Sequence, residues 1–104
     1  MGVKKRYEVI ATCYDKRGRI ISKGTNSYTH THPIQAMYAK RAGDDLKVYL
    51  HAEVLAIIKA RGRSIHKIKV ERYDRLGEPK NACPCRVCQL AIKEAGIKVI
   101  EYTI

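Results

Sequence analysis

Five residues of this 104-residue chain could do chemistry together: His51, Glu53, Cys83, Cys85 and Cys88. Cys85 and Cys88 are three apart, which brings side chains onto one face of a first helical turn. A helix N-terminus and a nearby metal both lower a thiol's pKa and favour the thiolate. Pro84 fixes the backbone between Cys83 and Cys85. His51 and Glu53 sit near the start of the stretch LHAEVLAIIKA, residues 50–60. One imidazole and two thiolates give zinc three protein ligands and leave a fourth position for water, whose proton zinc makes available near neutral pH. Glu53 would then move protons between water and substrate, a reason for a carboxylate inside an apolar segment. The competing reading is a closed structural Cys₃His site with Cys83 as the fourth ligand. That site leaves Glu53 unexplained, and a proline between Cys83 and Cys85 makes joint chelation awkward.

These residues need elements to aim them. On a helix, residues two apart point to different sides, so His51 and Glu53 share no face. At a helix start, side chains lean toward the N-terminus, and both could reach a ligand lying off the helix end. HAEVLAIIKARG therefore reads as a helix opening at the site, stopped by Gly62, apolar on nearly every side and so buried. RVCQLAIKEAG reads as a second helix opening at the thiols and stopped by Gly96. Residues 6–25 read as a hairpin turning at DKRG. Residues 26–33 form a polar loop, and PIQAMYAKRAG is a candidate short helix with Pro33 at its start. SIHKIKVERY is a strand, DRLGEPKNACPC a long turn-rich loop, and IKVIEYTI a closing strand with apolar residues on both faces. The main order is β-β-α-β-α-β, with helices packed on a sheet in an α/β fold.

HAE followed by PCRVC resembles the signature of the zinc-dependent cytidine and deoxycytidylate deaminase superfamily, H-x-E then P-C-x-x-C. The resemblance covers nearly the whole chain and is nearest to small, single-domain phage- and virus-type members. It implies a cytidine-deaminase-like three-layer α/β/α sandwich on a minimal mixed sheet, with residues 1–104 as one domain. It implies one zinc per chain held by His51, Cys85 and Cys88, with Glu53 as the proton shuttle. Asn26 matches a family asparagine that contacts the sugar or base. The backbone at Ala52 and around Cys85, Pro84 included, would hold the pyrimidine edge. The implied reaction is hydrolytic deamination of cytosine to uracil. Longer members have a helix before the first strand and elements beyond the position of Ile104. Without them, one sheet face would need residues 33–43 or a second subunit to cover it. The chain contains no Phe or Trp, so a ring that stacks on the base must be Tyr or His, and Tyr28 is the candidate. His30 and His32 in THTHP could touch substrate or form a second metal pair, and His32 is counted with the substrate contacts.

The formal charge of +11 suits a phosphate-bearing substrate or a polyanion. The expected partners are a nucleoside or nucleotide substrate, with single-stranded DNA or RNA as the alternative and a homo-oligomer implied by the resemblance. No apolar run approaches the roughly 18 residues of a membrane span, and the basic start lacks a signal-peptide apolar block. Three of the four cysteines crowd into residues 83–88, which argues for a metal site in a reducing, cytoplasmic setting. Cys13 reads as a core residue, His66 as strand surface, and the cations of KARGR as a solvated helix end.

Overall fold

The computed structural model describes residues 7–44 and 49–104. The first strand, β1 (Glu8–Tyr14), turns back into β2 (Ile20–Thr25). The turn is held by one side chain. Asp15 Oδ1 accepts from the backbone N–H groups of Arg17 and Arg19, both at 2.9 Å, and Gly18 takes the left-handed φ of 79° that closes it. The expected hairpin began at Arg6, which lies outside the described residues.

Two helices follow, α1 (Pro33–Arg41) and α2 (Ala52–Lys59), then β3 (Lys67–Tyr73), the two-residue β4 (Pro79–Lys80), α3 (Arg86–Glu94) and β5 (Val99–Tyr102). The order is β-β-α-α-β-β-α-β. It adds to the main expected order the short helix at Pro33 and a small strand inside the expected loop. That strand exists because Asp74 repeats the device of Asp15: its Oδ1 accepts from Leu76 and Glu78 N–H, turning the chain back onto β3.

The sheet is mixed. β1 lies between β2 and β3, antiparallel to both, while β5 runs parallel to β3 after the α3 crossover. β4 and β5 therefore share the far edge of β3, pairing with its end and its beginning respectively. Alternation sends Ala11 and Cys13 of β1, and Ile68 and Val70 of β3, into one core with Ala52, Ala56 and Ala60 of α2 and Ile92 of α3. Cys13 is fully buried there, as its place in the strand suggested.

α2 is apolar almost all round because it is covered on two sides. Its alanine stripe meets the sheet. Leu50 and Val54 meet Cys88 and Ala91 of α3, with Tyr38 of α1 packed alongside. Gly24 sets how close α2 can come. A Cβ there would lie 2.5 Å from the Ala52 carbonyl oxygen and 2.6 Å from the Ala56 nitrogen, so only glycine admits the helix backbone at that distance. Beside it, Ser22 Oγ donates to the Ala56 carbonyl at 2.7 Å.

This is the expected α/β fold, in which α2 and α3 cover one sheet face and α1 packs against α3. The second helix layer of a three-layer sandwich is not among the described elements. The opposite face carries a charged and aromatic mixture: Lys67 lies over the Tyr14 ring at 4.8 Å and pairs with Glu101 at 3.4 Å. Among the described residues no helix is long and apolar enough to cross a membrane.

Candidate metal centre and its cavity

The N-termini of α2 and α3 meet. His51 is the residue just before α2, with extended backbone angles (φ −83°, ψ 153°) and no side-chain cap bond. Cys85 holds the same place before α3 (φ −72°, ψ 172°), and Cys88 follows in that helix's first turn. This removes the difficulty of two residues two apart on one helix. His51 is not on the helix, so its ring points where no helical residue could, while Glu53 sits in the first turn.

His51 Nδ1 lies 3.2 Å from Cys88 Sγ and 3.6 Å from Cys85 Sγ. All three donor atoms fall within 4.8 Å of one another. Zinc bonds of ~2.0–2.3 Å in a tetrahedron imply donors roughly 3.5 Å apart, and the two separations from His51 match. Cys83 is outside this group. It is exposed, and its thiol lies 3.9 Å from the Pro84 carbonyl and also meets the Tyr102 hydroxyl. Among the described residues the centre thus offers three protein ligands, an open set and not a closed one.

The two thiols differ sharply. Hydrogen bonds from Cys88 and then His51, working against burial, hold the Cys85 thiol down at about 3. The bond with Cys85, burial and the nearby Glu53 push the Cys88 thiol far up. The two shifts share their first cause, the hydrogen bond between the two sulfurs, which favours a thiolate at Cys85. Burial raises Glu53 above the usual carboxylate range, and its own backbone N–H and His51 only partly oppose this. The residue is 6% exposed.

Gln35 fixes the imidazole's backbone. This α1 side chain is fully buried, and its Oε1 accepts from the His51 N–H at 3.1 Å. The short helix at Pro33 thereby becomes part of the centre's support. Nothing in the polar glutamine signalled this in the sequence, because only folding shows that its neighbours close over it.

A cavity of about 390 Å³ opens beside the cluster, with His51, Ala52, Glu53 and Cys85 in its wall. Asn26 and Tyr28 also line it. Both are already engaged with the chain start. Asn26 Oδ1 accepts from Val9 N–H at 2.9 Å, its Nδ2 donates to the Tyr7 carbonyl at 3.3 Å, and Tyr28 Oη donates to that same carbonyl at 2.9 Å. His32 and Pro84 are not in the lining. His32 caps α1, its Nδ1 accepting from Ile34 N–H at 3.1 Å. Pro84 is buried, and its carbonyl accepts from Gln89 Nε2 at 2.8 Å. His30 bonds within its own loop, to Ser27 and Thr29. Tyr7, Tyr49 and Arg72 are also in the wall and were not foreseen. Strand parity could have found Arg72, since it follows Ile68 and Val70 on the inward side of β3.

Three converging donors, an open coordination position and an adjoining cavity with a buried carboxylate define the class of a zinc-dependent deaminase domain. The chain belongs to the family described as the cytidine and deoxycytidylate deaminase zinc-binding region, whose model matches residues 2–104. His51, Cys85 and Cys88 fit its single zinc site. A search of curated proteins finds no match to the chain.

Proposed function

We propose that residues 1–104 form one catalytic domain that hydrolytically deaminates cytosine to uracil in a nucleoside or nucleotide. The observation that carries this is Glu53: a buried carboxyl in the wall of the cavity, two residues from the imidazole of a three-donor cluster. A purely structural zinc site has no use for such a group, and burying it is costly.

In this reading His51, Cys85 and Cys88 hold the metal. Zinc supplies Lewis-acid activation of water at that position. Glu53 takes a proton from the attacking water and passes it to N3 of the ring, then takes the second from the new C4 hydroxyl and delivers it to the departing amino group. The C4–O bond forms, the C4–N bond breaks, and ammonia leaves. The raised affinity of Glu53 for protons suits a group that must both accept and return one. The first turn of α2 at Ala52 and the approach to Cys85 offer backbone groups for the pyrimidine edge. Asn26 and Tyr28 shape the wall, and their bonds to the Tyr7 carbonyl favour a supporting role over direct contact. Cytosine in place of adenine rests on the family's description.

The test is Glu53→Gln. Zinc content should stay at one per chain while ammonia release from cytidine and its nucleotides disappears. Turnover in this variant would remove the proton role, and zinc binding by the unaltered chain with no cytosine compound consumed would leave a non-catalytic zinc module. Four free thiols support a reducing, cytoplasmic setting. The sheet face without described helices is where a second copy would add most in a homo-oligomer.

A base within single-stranded DNA or RNA is the second reading. Tyr7, Tyr28 and Tyr49, each close to half exposed, ring the cavity and offer stacking faces beyond a single base. The charge of +11 points the same way. Oligonucleotide binding that falls steeply with salt would support it, and no binding at low salt would remove it.

A further inference from the structure

Among the described residues, Arg72 is the one Lys or Arg in the cavity wall. Its backbone is held from both sides, pairing with Val9 in β1 and Lys80 in β4. Its N–H also donates to Thr103 Oγ1 at 3.1 Å, and that hydroxyl in turn donates to the Lys80 carbonyl at 2.6 Å. Its guanidinium is far less satisfied. The carbon lies 4.1 Å from the centroid of the Tyr7 ring, one terminal nitrogen reaches the Asn81 carbonyl at a long 3.5 Å, and Nε is buried with no hydrogen-bond partner. Among the described residues no ion pair neutralises it, although Glu53 lines the same cavity. Leaving a donor of a charged group buried and unpaired is unfavourable. A planar fork with free donors beside a cavity suits an oxyanion, and phosphate best of all.

We propose that Arg72 is the phosphate anchor of this cavity, so that its substrate is a pyrimidine nucleoside monophosphate and not the free nucleoside. The proposal rests on the reading of the cavity as the deamination site. Tyr7 stacks on the guanidinium and keeps its plane fixed. Asn26 and Tyr28, by bonding the Tyr7 carbonyl, hold that ring in place. Two residues matched to substrate binding from the sequence thus serve the anchor indirectly, and the charge is set at the site end of β3, on the sheet face that also carries the metal cluster.

Product binding tests this without requiring turnover. Uridine 5′-monophosphate and uridine are titrated calorimetrically into the zinc-loaded protein, alone and with inorganic phosphate present. The monophosphate should bind more tightly by roughly tenfold to a hundredfold, the scale of a charge-assisted hydrogen bond, and inorganic phosphate should weaken the monophosphate but not uridine. In Arg72→Gln the preference should fall to about one, and in Arg72→Lys, which keeps charge but loses the fork, it should be intermediate. Equal binding of the two ligands by the unaltered protein overturns the proposal, whatever the variants do. So does a preference that persists in a folded Arg72→Gln protein. A uridine-containing trinucleotide whose binding depends on Arg72 while the mononucleotide's does not would assign the phosphate to a strand and overturn the mononucleotide claim. If the preference depends on Arg72 but no cytosine compound is deaminated, the anchor stands and the catalytic reading falls.

Discussion

The two helix starts that meet at the metal centre are built on different principles. The α2 start carries His51 and Glu53 and is seated by backbone. Gly24 lets its main chain touch the sheet, Ser22 bonds a carbonyl one turn further along, and Gln35 holds the His51 N–H. The α3 start carries Cys85 and Cys88 and is seated by side chains. Val87, Cys88, Ala91 and Ile92 bury one face of a helix whose other face is polar. Main-chain contacts fix position closely because they leave no rotamer to adjust, whereas an apolar face tolerates repacking. Glu53, the group proposed to meet the reacting atoms, is on the start with the stricter seat. The thiols, which a metal would draw into place, are on the looser one.

Substitutions can break this contrast. The largest effects should come from the chemical groups themselves. Cys88→Ala should remove zinc binding at neutral pH, read as metal per chain. Glu53→Gln should lower deamination by about 10²–10⁴-fold while metal content is unchanged. Retention of zinc by the first variant, or loss of zinc from the second, would mean that the two starts do not divide the work as described. Next comes the seat of α2. Gly24→Ala forces the helix away from the sheet and should cost about 1–3 kcal/mol of stability, measured by denaturant unfolding. An Ala91→Val change on α3 should cost less, and a reversed ranking would overturn the distinction between backbone and side-chain seating. Gln35→Leu leaves the His51 N–H without its acceptor and should weaken zinc affinity roughly tenfold to a hundredfold in a competition titration.

The smallest effect is on pH dependence. Burial raises Glu53 in the folded, chelator-treated protein, while in the unfolded chain it ionises near 4.3. The folded state therefore binds the extra proton, and its stability falls as pH rises from about 4.3 toward the raised folded value. Glu53→Gln should be more stable than the parent above that window and equal to it below. Parallel stability curves across the whole range would show that the carboxyl is better solvated than its burial implies.

Much of the centre was legible because its residues lie close in sequence and because helix starts carry strong local signals. The x between His51 and Glu53, and the spacing of Cys85 and Cys88, needed no long-range knowledge. The hairpin of β1 and β2 was legible for the same reason, through Asp15 with Gly18. What escaped depends on contacts between distant segments. Gln35 became a support only when α1, α2 and α3 closed around it. Asn26 was read as a substrate contact, but its amide is engaged by Tyr7 and Val9, which lie beside it only once β1 and β2 pair. The two residues of β4 are too few to carry a period, and Pro79 argues against a strand in any local reading. Arg72 lay within a correctly expected strand, yet its role in the cavity wall depends on Tyr7 at the chain's other end.

The unequal thiols have a consequence for how the centre fills. Because the bond between the sulfurs lowers Cys85 and raises Cys88, zinc must draw a proton from the sulfur that holds it more tightly. Acid would then compete with zinc for the centre, so occupancy would fall as the surroundings become more acidic.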